Sequence, residues 1–480
     1  MTRRGIHEGR DTQALDAEGF DVEEVLALVN DGKGPAEGRA AGPAHGTHTP
    51  DAAHGATGAA SAASTPPPGD RHGHGKGHRH HATPWPEARA VAARAARSQA
   101  ARRAPVSVTL GDALGLVLAA PLTALTDLPS FDTSAMDGWA VAGPGPWRVR
   151  DEGVLAGSAA PEPLADGEAV RIATGARIPP DTTAVLRSEH GRTDAQGRLH
   201  PTRDMSHGQD IRPRGQECRS GDQLLPAGAV VTPAVLGLAA AAGYDTLAAV
   251  PRPRAEVFVL GDELLTEGRP HDGLIRDALG PMLPPWLRAL GAEVVAVRRI
   301  GDDEKALHKA VSKSSADLIV TTGGTASGPV DHVHPVLRRV GAELLVDGVK
   351  VRPGHPMLLA RTKDDQHLVG LPGNPLAAVS GLLTLAEPLL DTLSSRPAPE
   401  RYGLPLRDEV HGHPYDTRLV PVALRGDHVV PLHYNGPAML RGVAAADALA
   451  VVPPGGARAG QRVELLDLPW ATAGVAACFT

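Results

Sequence analysis

Residues 255 to 393 alternate short apolar runs with longer helix-forming stretches, and this alternation most restricts the folds open to the chain. Strands are expected at 255–260, 293–298, 317–321, 356–360 and 367–370, and helices at 277–290, 303–313, 331–340 and 375–390. Runs such as Leu318, Ile319 and Val320 have no polar face. They suit strands covered on both sides, as in a parallel sheet between two helix layers. The pattern predicts an α/β unit with a mostly parallel sheet, whose ligands gather at the carboxyl ends of its strands.

One strand end stands out. The stretch DLIVTTGGTASGPVD, residues 317–331, passes from an apolar run into Gly323 and Gly324. Adjacent glycines let backbone N–H groups approach an anion without a side chain between them. Ser327 or Gly328 is expected to cap a following helix with Pro329 in its first turn, adding partial positive charge. Strand, glycine pair and helix start form a candidate phosphate cradle. Other strand ends of the same sheet carry GDELL (261–265) and GLPGNP (370–375), where Asn374 and Pro375 read as N-cap and first helical residue. VKVRPGHP (349–356) carries Lys350, Arg352 and His355 on a Pro-Gly turn. Asp262, Glu263, Asp331, Arg352 and His355 are thus expected on strand-end loops of one sheet. Carboxylates beside a cradle suit Mg²⁺, which takes few carboxylates plus substrate oxygens. Arg352 suits phosphate or another oxyanion.

The remainder of the 480 residues frames this unit. A formal charge of −7 gives no general attraction to nucleic acid. Cys218 and Cys478 are far apart and suggest neither a disulfide framework nor a thiolate metal site. The start MTRRGIHEGRD has no apolar signal core, and no run is read as long enough to span a bilayer. A soluble cytoplasmic protein is expected. Residues 1–85 read as a disordered His, Gly, Ala and Pro-rich tail with one short helix at 20–29. Its His72, His74, His78, His80 and His81 could act as a weak metal reservoir, although nothing completes a defined site. Residues 87–103 should be helical and 108–119 a strand followed by a short helix. FDTSAMDGWAV (131–141) reads as a polar turn with Asp132 and Asp137. Short strands between about 147 and 205 form a β module, among them 170–173 and 184–186, and 210–243 ends in an Ala-rich helix. From about 397 strands return at 419–424, 429–432, 448–452 and 462–466.

FDTSAMDGWAV, RIATGARIPP, GDELL, DLIVTTGG…D, RPGHP and GLPGNP, in this order, resemble the molybdopterin molybdenumtransferase family, which includes the E domain of gephyrin. The resemblance spans about 105–469. It implies an α/β multidomain fold: an interrupted linker domain (86–141 and 209–250), an inserted β module (142–208), a molybdopterin-binding α/β domain (251–395) and a C-terminal β-barrel-like domain (396–480). It implies a homodimer that inserts molybdate into adenylylated molybdopterin with release of AMP, dependent on Mg²⁺, with molybdopterin adenylyltransferase as upstream partner. It carries a catalytic set over to Asp137, Thr174, Glu217, Glu263, Asp303, Arg352 and His355. Gly323, Gly324, Ser327, Gly328, Pro353, Gly354, Gly373 and Asn374 become the ligand-binding set, and Asp262, Glu263 and Asp331 the metal set.

The chain departs from the family pattern at several points. Gly215-Gln216-Glu217 stands for Gly-Glu-Asp, and Arg352-Pro353-Gly354-His355-Pro356 for Lys-Pro-Gly-Lys-Pro. Ala326 replaces a Ser, Pro329 an acid, and Leu279 an Asn. Arg352 keeps a lysine's charge but not its shape, and His355 keeps it only when protonated. The alternative function is a diverged paralogue that holds or delivers molybdopterin, or serves as a scaffold.

Overall fold

The structure, a computed structural model, describes residues 82–157, 161–325, 331–362 and 364–470. The expectations for residues 1–81 therefore lie outside the described residues, as do those for Ala326, Ser327, Gly328, Pro329 and Cys478.

The 255–393 unit is a six-stranded sheet in the order Glu293–Ile300, Arg254–Leu260, Leu318–Thr322, His367–Leu371, Leu358–Arg361, Glu343–Asp347. The first four run parallel. The last two are antiparallel to their neighbours, so the sheet is mixed. The two runs read as parallel strands at 356–360 and 367–370 are in fact joined by a short turn, which permits only antiparallel pairing. Side chains alternate between two helix layers. Ala255, Val257, Leu318, Val320 and Val369 pack with Leu283, Leu287 and Leu383 on one face. Phe258, Ile319 and Leu368 pack with Leu307, Val311, Val336 and Leu337 on the other. Each fully buried Leu or Ile contributes roughly 1.5–3 kcal/mol of transfer free energy.

The helix beginning at Pro375 runs to Leu393 through a π-helical turn, Leu382–Ala386. Pro388 supplies a cause: it has no N–H and its ring crowds the carbonyl four residues back, so the turn widens. Arg89 donates to the Leu383 carbonyl at that turn. Pro375–Leu393 is apolar and long enough to cross a membrane by length and composition, which corrects the expectation that no run is. Its window is 83% buried, which makes it a core helix here.

Three further units surround the sheet. Val106–Thr109 and Val117–Leu118 pair with Thr246–Val250, so segments before and after the inserted region close one small sheet. Leu110–Asp112 is a 3-10 turn where a short helix was expected. The inserted region is a six-stranded sheet containing Trp147–Val154, Glu168–Ile172, Ala184–Arg187 and Gly138–Val141. The last was read as part of a polar turn. Its Trp139 and Val141 join one cluster and Ala140 the other, so a strand of only four residues is buried on both faces with no polar alternation to reveal it. The C-terminal sheet runs Thr83–Pro84, Val349–Arg352, Thr417–Arg425, Ala448–Val452, Arg462–Asp467, Gly403–Pro405, with His428–Pro431 beside Thr417–Arg425. Leu406, directly after Gly403–Pro405, bridges Val429 in His428–Pro431, and Arg407 N donates to Val429 O at 2.9 Å, so these strands curl back on one another into a barrel-like ring.

The helix Trp85–Ala95 joins the α/β core, and Arg97–Arg102 follows it without burying a residue. Trp85 is 2% exposed and its indole N–H donates to Thr384 Oγ1 at 3.0 Å. The expected tail, 1–85, thus runs over a core residue. Arg89 pairs with Glu387 at 2.9 Å, and Asp391 lies one turn further along that helix.

Trp85→Phe should leave the buried Thr384 hydroxyl without its partner and cost about 1–3 kcal/mol, measured by urea denaturation. Burial, then the Glu387 carboxylate, push Asp391 up to about 7. Burial also raises Glu387, opposed by Arg89. A carboxyl whose folded pKa is raised stabilises fully below its unfolded value and loses that contribution as pH rises through the folded one. Stability should therefore decline between about pH 4 and 7 through Asp391. Asp391→Asn should flatten that decline and gain on the order of 1–3 kcal/mol over wild type at pH 8 in denaturation series.

Candidate functional site

A cleft of about 100 Å³ opens at the carboxyl ends of Arg254–Leu260, Glu293–Ile300 and Leu318–Thr322. It is lined by Leu260, Gly261, Glu263, Gly301, Asp302, Asp303, Leu307, Gly323, Gly324, Asp331 and His332. Gly323 and Gly324 have φ of 77° and 65°, the left-handed region that glycine enters without steric cost. Gly323 N–H donates to Leu371 O at 2.8 Å, which ties the pair to the neighbouring strand. Gly373 approaches it as well: a Cβ there would sit 3.8 Å from Gly323 Cα. A Cβ on Gly324 would meet Val333 Cγ2 at 3.2 Å, so the following helix presses directly on the loop.

The acids have distinct local duties. Asp303 caps the helix Glu304–Lys313, accepting from Lys305 N at 2.7 Å and Ala306 N at 3.3 Å. Asp262 lies against Gly301, where a Cβ would stand 2.3 Å from its Oδ1. Glu263 folds back on Gly261, whose Cβ would stand 2.4 Å from Oε2. Among the described residues no three His, Cys, Asp or Glu side chains converge closely enough to hold a metal ion. Asp262, Glu263 and Asp331 therefore do not make a protein-only cation site. Glu263 and Asp331 share the cleft, whereas Asp262 does not line it.

Other expected residues stand elsewhere. Asp137 lines a separate cleft of about 300 Å³ in the inserted sheet, with Trp139, Arg171 and Ser188. Its Oδ1 accepts from Thr174 N at 2.7 Å, so these two do meet. Glu217 is an exposed loop residue whose N–H donates to Leu128 O at 2.9 Å. Arg352 and His355 correct the expectation of a single sheet edge. Val349–Arg352 leaves the α/β sheet and pairs with Thr417–Arg425. Arg352 Nε donates to Asp416 Oδ2 at 2.9 Å, and His355 Nδ1 to Val349 O at 2.8 Å. Pro353 and Gly354 sit in the same turn. A Cβ on Gly354 would strike Met357 Cε at 2.8 Å and Ser380 Cβ at 3.0 Å, so this glycine serves packing against the helix Pro375–Gly381. That helix begins as expected, with Asn374 extended and Pro375 at its first position, although the Asn374 side chain makes no capping bond.

The helix after the glycine pair is Val333–Val340 with His332 as N-cap. It starts later than the expected helix 331–340, and Asp331 precedes it. Sequence reasoning missed Asp302, Gly301 and His332. The run Gly301-Asp302-Asp303 after a strand was a usable signal, since it repeats the turn-then-cap pattern of a strand end. A larger cavity of about 430 Å³ lies between the helix Glu387–Leu393 and the C-terminal sheet, and it contains none of the expected site residues.

An α/β domain with a glycine cleft, flanked by an inserted sheet and a C-terminal sheet, defines a multidomain class. Family models match in the same order: the MoeA N-terminal region (domain I and II) at residues 83–243, a probable molybdopterin binding domain at 256–392, and the MoeA C-terminal region (domain IV) at 404–468. The chain belongs to the MoeA family. It is 29% identical over 383 residues to a molybdopterin molybdenumtransferase of Staphylococcus aureus, covering 75% of this chain and 90% of that one. A Staphylococcus epidermidis protein of the same name is 28% identical over 381 residues, with the same coverage. The crystal structure of a molybdopterin biosynthesis MoeA protein from Pyrococcus horikosii superposes with a TM-score of 0.64 at 25% identity, over 81% of this chain and 99% of that one.

Two alanine substitutions should separate backbone from packing roles. At Gly323 the nearest atom to a new Cβ is Leu260 O at 3.9 Å, so Gly323→Ala should cost only the left-handed backbone penalty, roughly 1–2 kcal/mol. Gly370→Ala would meet Leu358 Cγ and Thr325 Cγ2 at 2.8 Å and should cost about 1–3 kcal/mol through overpacking. Urea denaturation measures both. Only Gly323→Ala should also alter ligand binding.

Proposed function

We propose that this protein inserts molybdate into adenylylated molybdopterin and releases AMP, completing molybdenum cofactor biosynthesis. The observation that carries this reading is the left-handed pair Gly323-Gly324 at a strand end, facing Glu263, Asp303 and Asp331 across one cleft. Gly323 N–H is committed to Leu371 O, so the Gly324 N–H is the one that suits a phosphate oxygen. The carboxylates would repel that phosphate unless a cation stood between them, and no described set holds one unaided. Substrate oxygens together with Glu263 and Asp331 fit the donor requirement of Mg²⁺. When bound, Mg²⁺ supplies charge neutralisation at the phosphate. The chain's own part is to hold the phosphate against the glycines and to keep Asp303 fixed as a helix cap beside it.

On the same reading the protein works in the cytoplasm as a homodimer. A molybdopterin adenylyltransferase supplies its substrate. The clefts at Asp137 and at Glu263 belong to one reaction, and Thr174 N–H fixes the Asp137 carboxylate for its share.

A second reading, a protein that binds or delivers molybdopterin without turnover, is favoured by one observation. Arg352 is committed to Asp416, and His355 Nδ1 to Val349 O, in a sheet apart from the glycine cleft. The two readings divide on turnover. Wild type should release AMP from adenylylated molybdopterin only with molybdate and Mg²⁺ present. Glu263→Gln should raise the Mg²⁺ concentration for half-maximal rate about tenfold, a loss of about 1.4 kcal/mol. Tight binding of molybdopterin without AMP release would select the second reading. AMP release that ignores Mg²⁺ would remove the cation from the site.

A further inference from the structure

The glycine cleft has four acidic side chains on its walls: Glu263, Asp302, Asp303 and Asp331. A phosphate seated there has the Gly324 N–H below it, since Gly323 N–H is committed to Leu371 O. Apart from the acids, His332 is the one polar side chain among the lining residues. It is the N-cap of the helix Val333–Val340, with φ −92° and ψ −7°. Its backbone N lies 3.8 Å from where a Gly324 Cβ would be, which puts it directly beside the glycine pair. Its imidazole makes no hydrogen bond among the described residues. The contrast with nearby histidines is plain: His334 Nε2 stands 2.9 Å from Asp347 Oδ1, and His355 Nδ1 is used on Val349 O. An N-cap residue ordinarily turns its side chain back to accept from the second or third helical N–H. His332 makes no such bond.

We infer that His332 is a substrate-contact residue, donating an imidazole N–H to a phosphate oxygen of the molybdopterin ligand held over Gly323-Gly324. This rests on the phosphate-cradle reading of the cleft. The donor is present whether the ring is neutral or protonated, so the contact requires no particular charge state. It also gives an acid-lined cleft a directional preference for phosphate over uncharged ligands. A hydrogen bond to a charged group in a partly enclosed site corresponds to about ten- to a hundredfold in affinity.

The test measures the affinity of the full chain for purified molybdopterin, by titration calorimetry under reducing conditions, beside the thermal midpoint of each variant. His332→Phe keeps the planar bulk and removes the donor. His332→Asn restores a donor and is itself a favoured N-cap. Gly324→Asp reports on the cradle independently. The inference expects His332→Phe to bind about ten- to a hundredfold more weakly and His332→Asn to bind within about threefold of wild type. A purely structural cap would instead move only the midpoints, upward for Asn and downward for Phe. Wild-type affinity in His332→Phe, with binding lost in Gly324→Asp, would overturn the contact and leave the cradle standing. His332→Asn binding as weakly as His332→Phe would also overturn it. Unchanged affinity in Gly324→Asp would overturn the cradle and the contact together.

Discussion

Leu318, Ile319 and Val320 are each fully buried, and the strand they form has partners on both edges and helices over both faces. A strand enclosed on four sides can meet solvent only at its ends. Its amino end is closed by Asp317, which accepts from Gln99 Nε2 at 2.9 Å and from Arg254 N at 2.7 Å and pairs with Arg103 at 2.9 Å. Its carboxyl end, Thr322 into Gly323, is left for chemistry. Everything that positions the glycine cleft depends on this burial, because a strand able to slip would move the glycines off the register that joins Gly323 to Leu371 O.

The N-terminal helices reinforce the same axis. Trp85, Ala88 and Ala92 enter the layer that covers one face of the sheet, and alanines there let the helix approach the long helix Pro375–Leu393 closely. Thr83–Pro84 also begins the C-terminal sheet by pairing with Val349–Lys350. One short segment therefore joins the α/β unit to the C-terminal sheet. Val349–Arg352 does so a second time, leaving one sheet and entering the other within a few residues of Asp347.

That crossing decides where the basic turn goes. Arg352 and His355 follow a strand only a few residues beyond the α/β sheet, and nothing local distinguishes a strand that stays from one that departs. Alternation of Val349 and Val351 with Lys350 and Arg352 marks a strand covered on one face, which both sheets could accommodate. Pairing with Thr417–Arg425 settled the matter, through contacts made with residues about 65 positions away. Gly138–Val141 was hidden for a related reason. It is short and buried on both faces, so it shows no alternation, and its place in the inserted sheet is fixed by Glu168–Ile172 and Ala184–Arg187 on its two edges.

The sequence by itself determined the α/β alternation, the glycine pair at a strand end, the helix start at Asn374-Pro375, and the ordered motifs that identify the family. These are properties of neighbouring residues: periodicity, backbone freedom and a proline preset for the first helical turn. Only the tertiary structure decided that Glu263, Asp303 and Asp331 share a cleft with His332, that Asp137 and Thr174 meet in another, and that Arg352 turns to Asp416. Those outcomes depend on which strands pair across long stretches of chain. Side-chain alternation sets which face a residue occupies, but it does not choose the partner strand that places that face beside another.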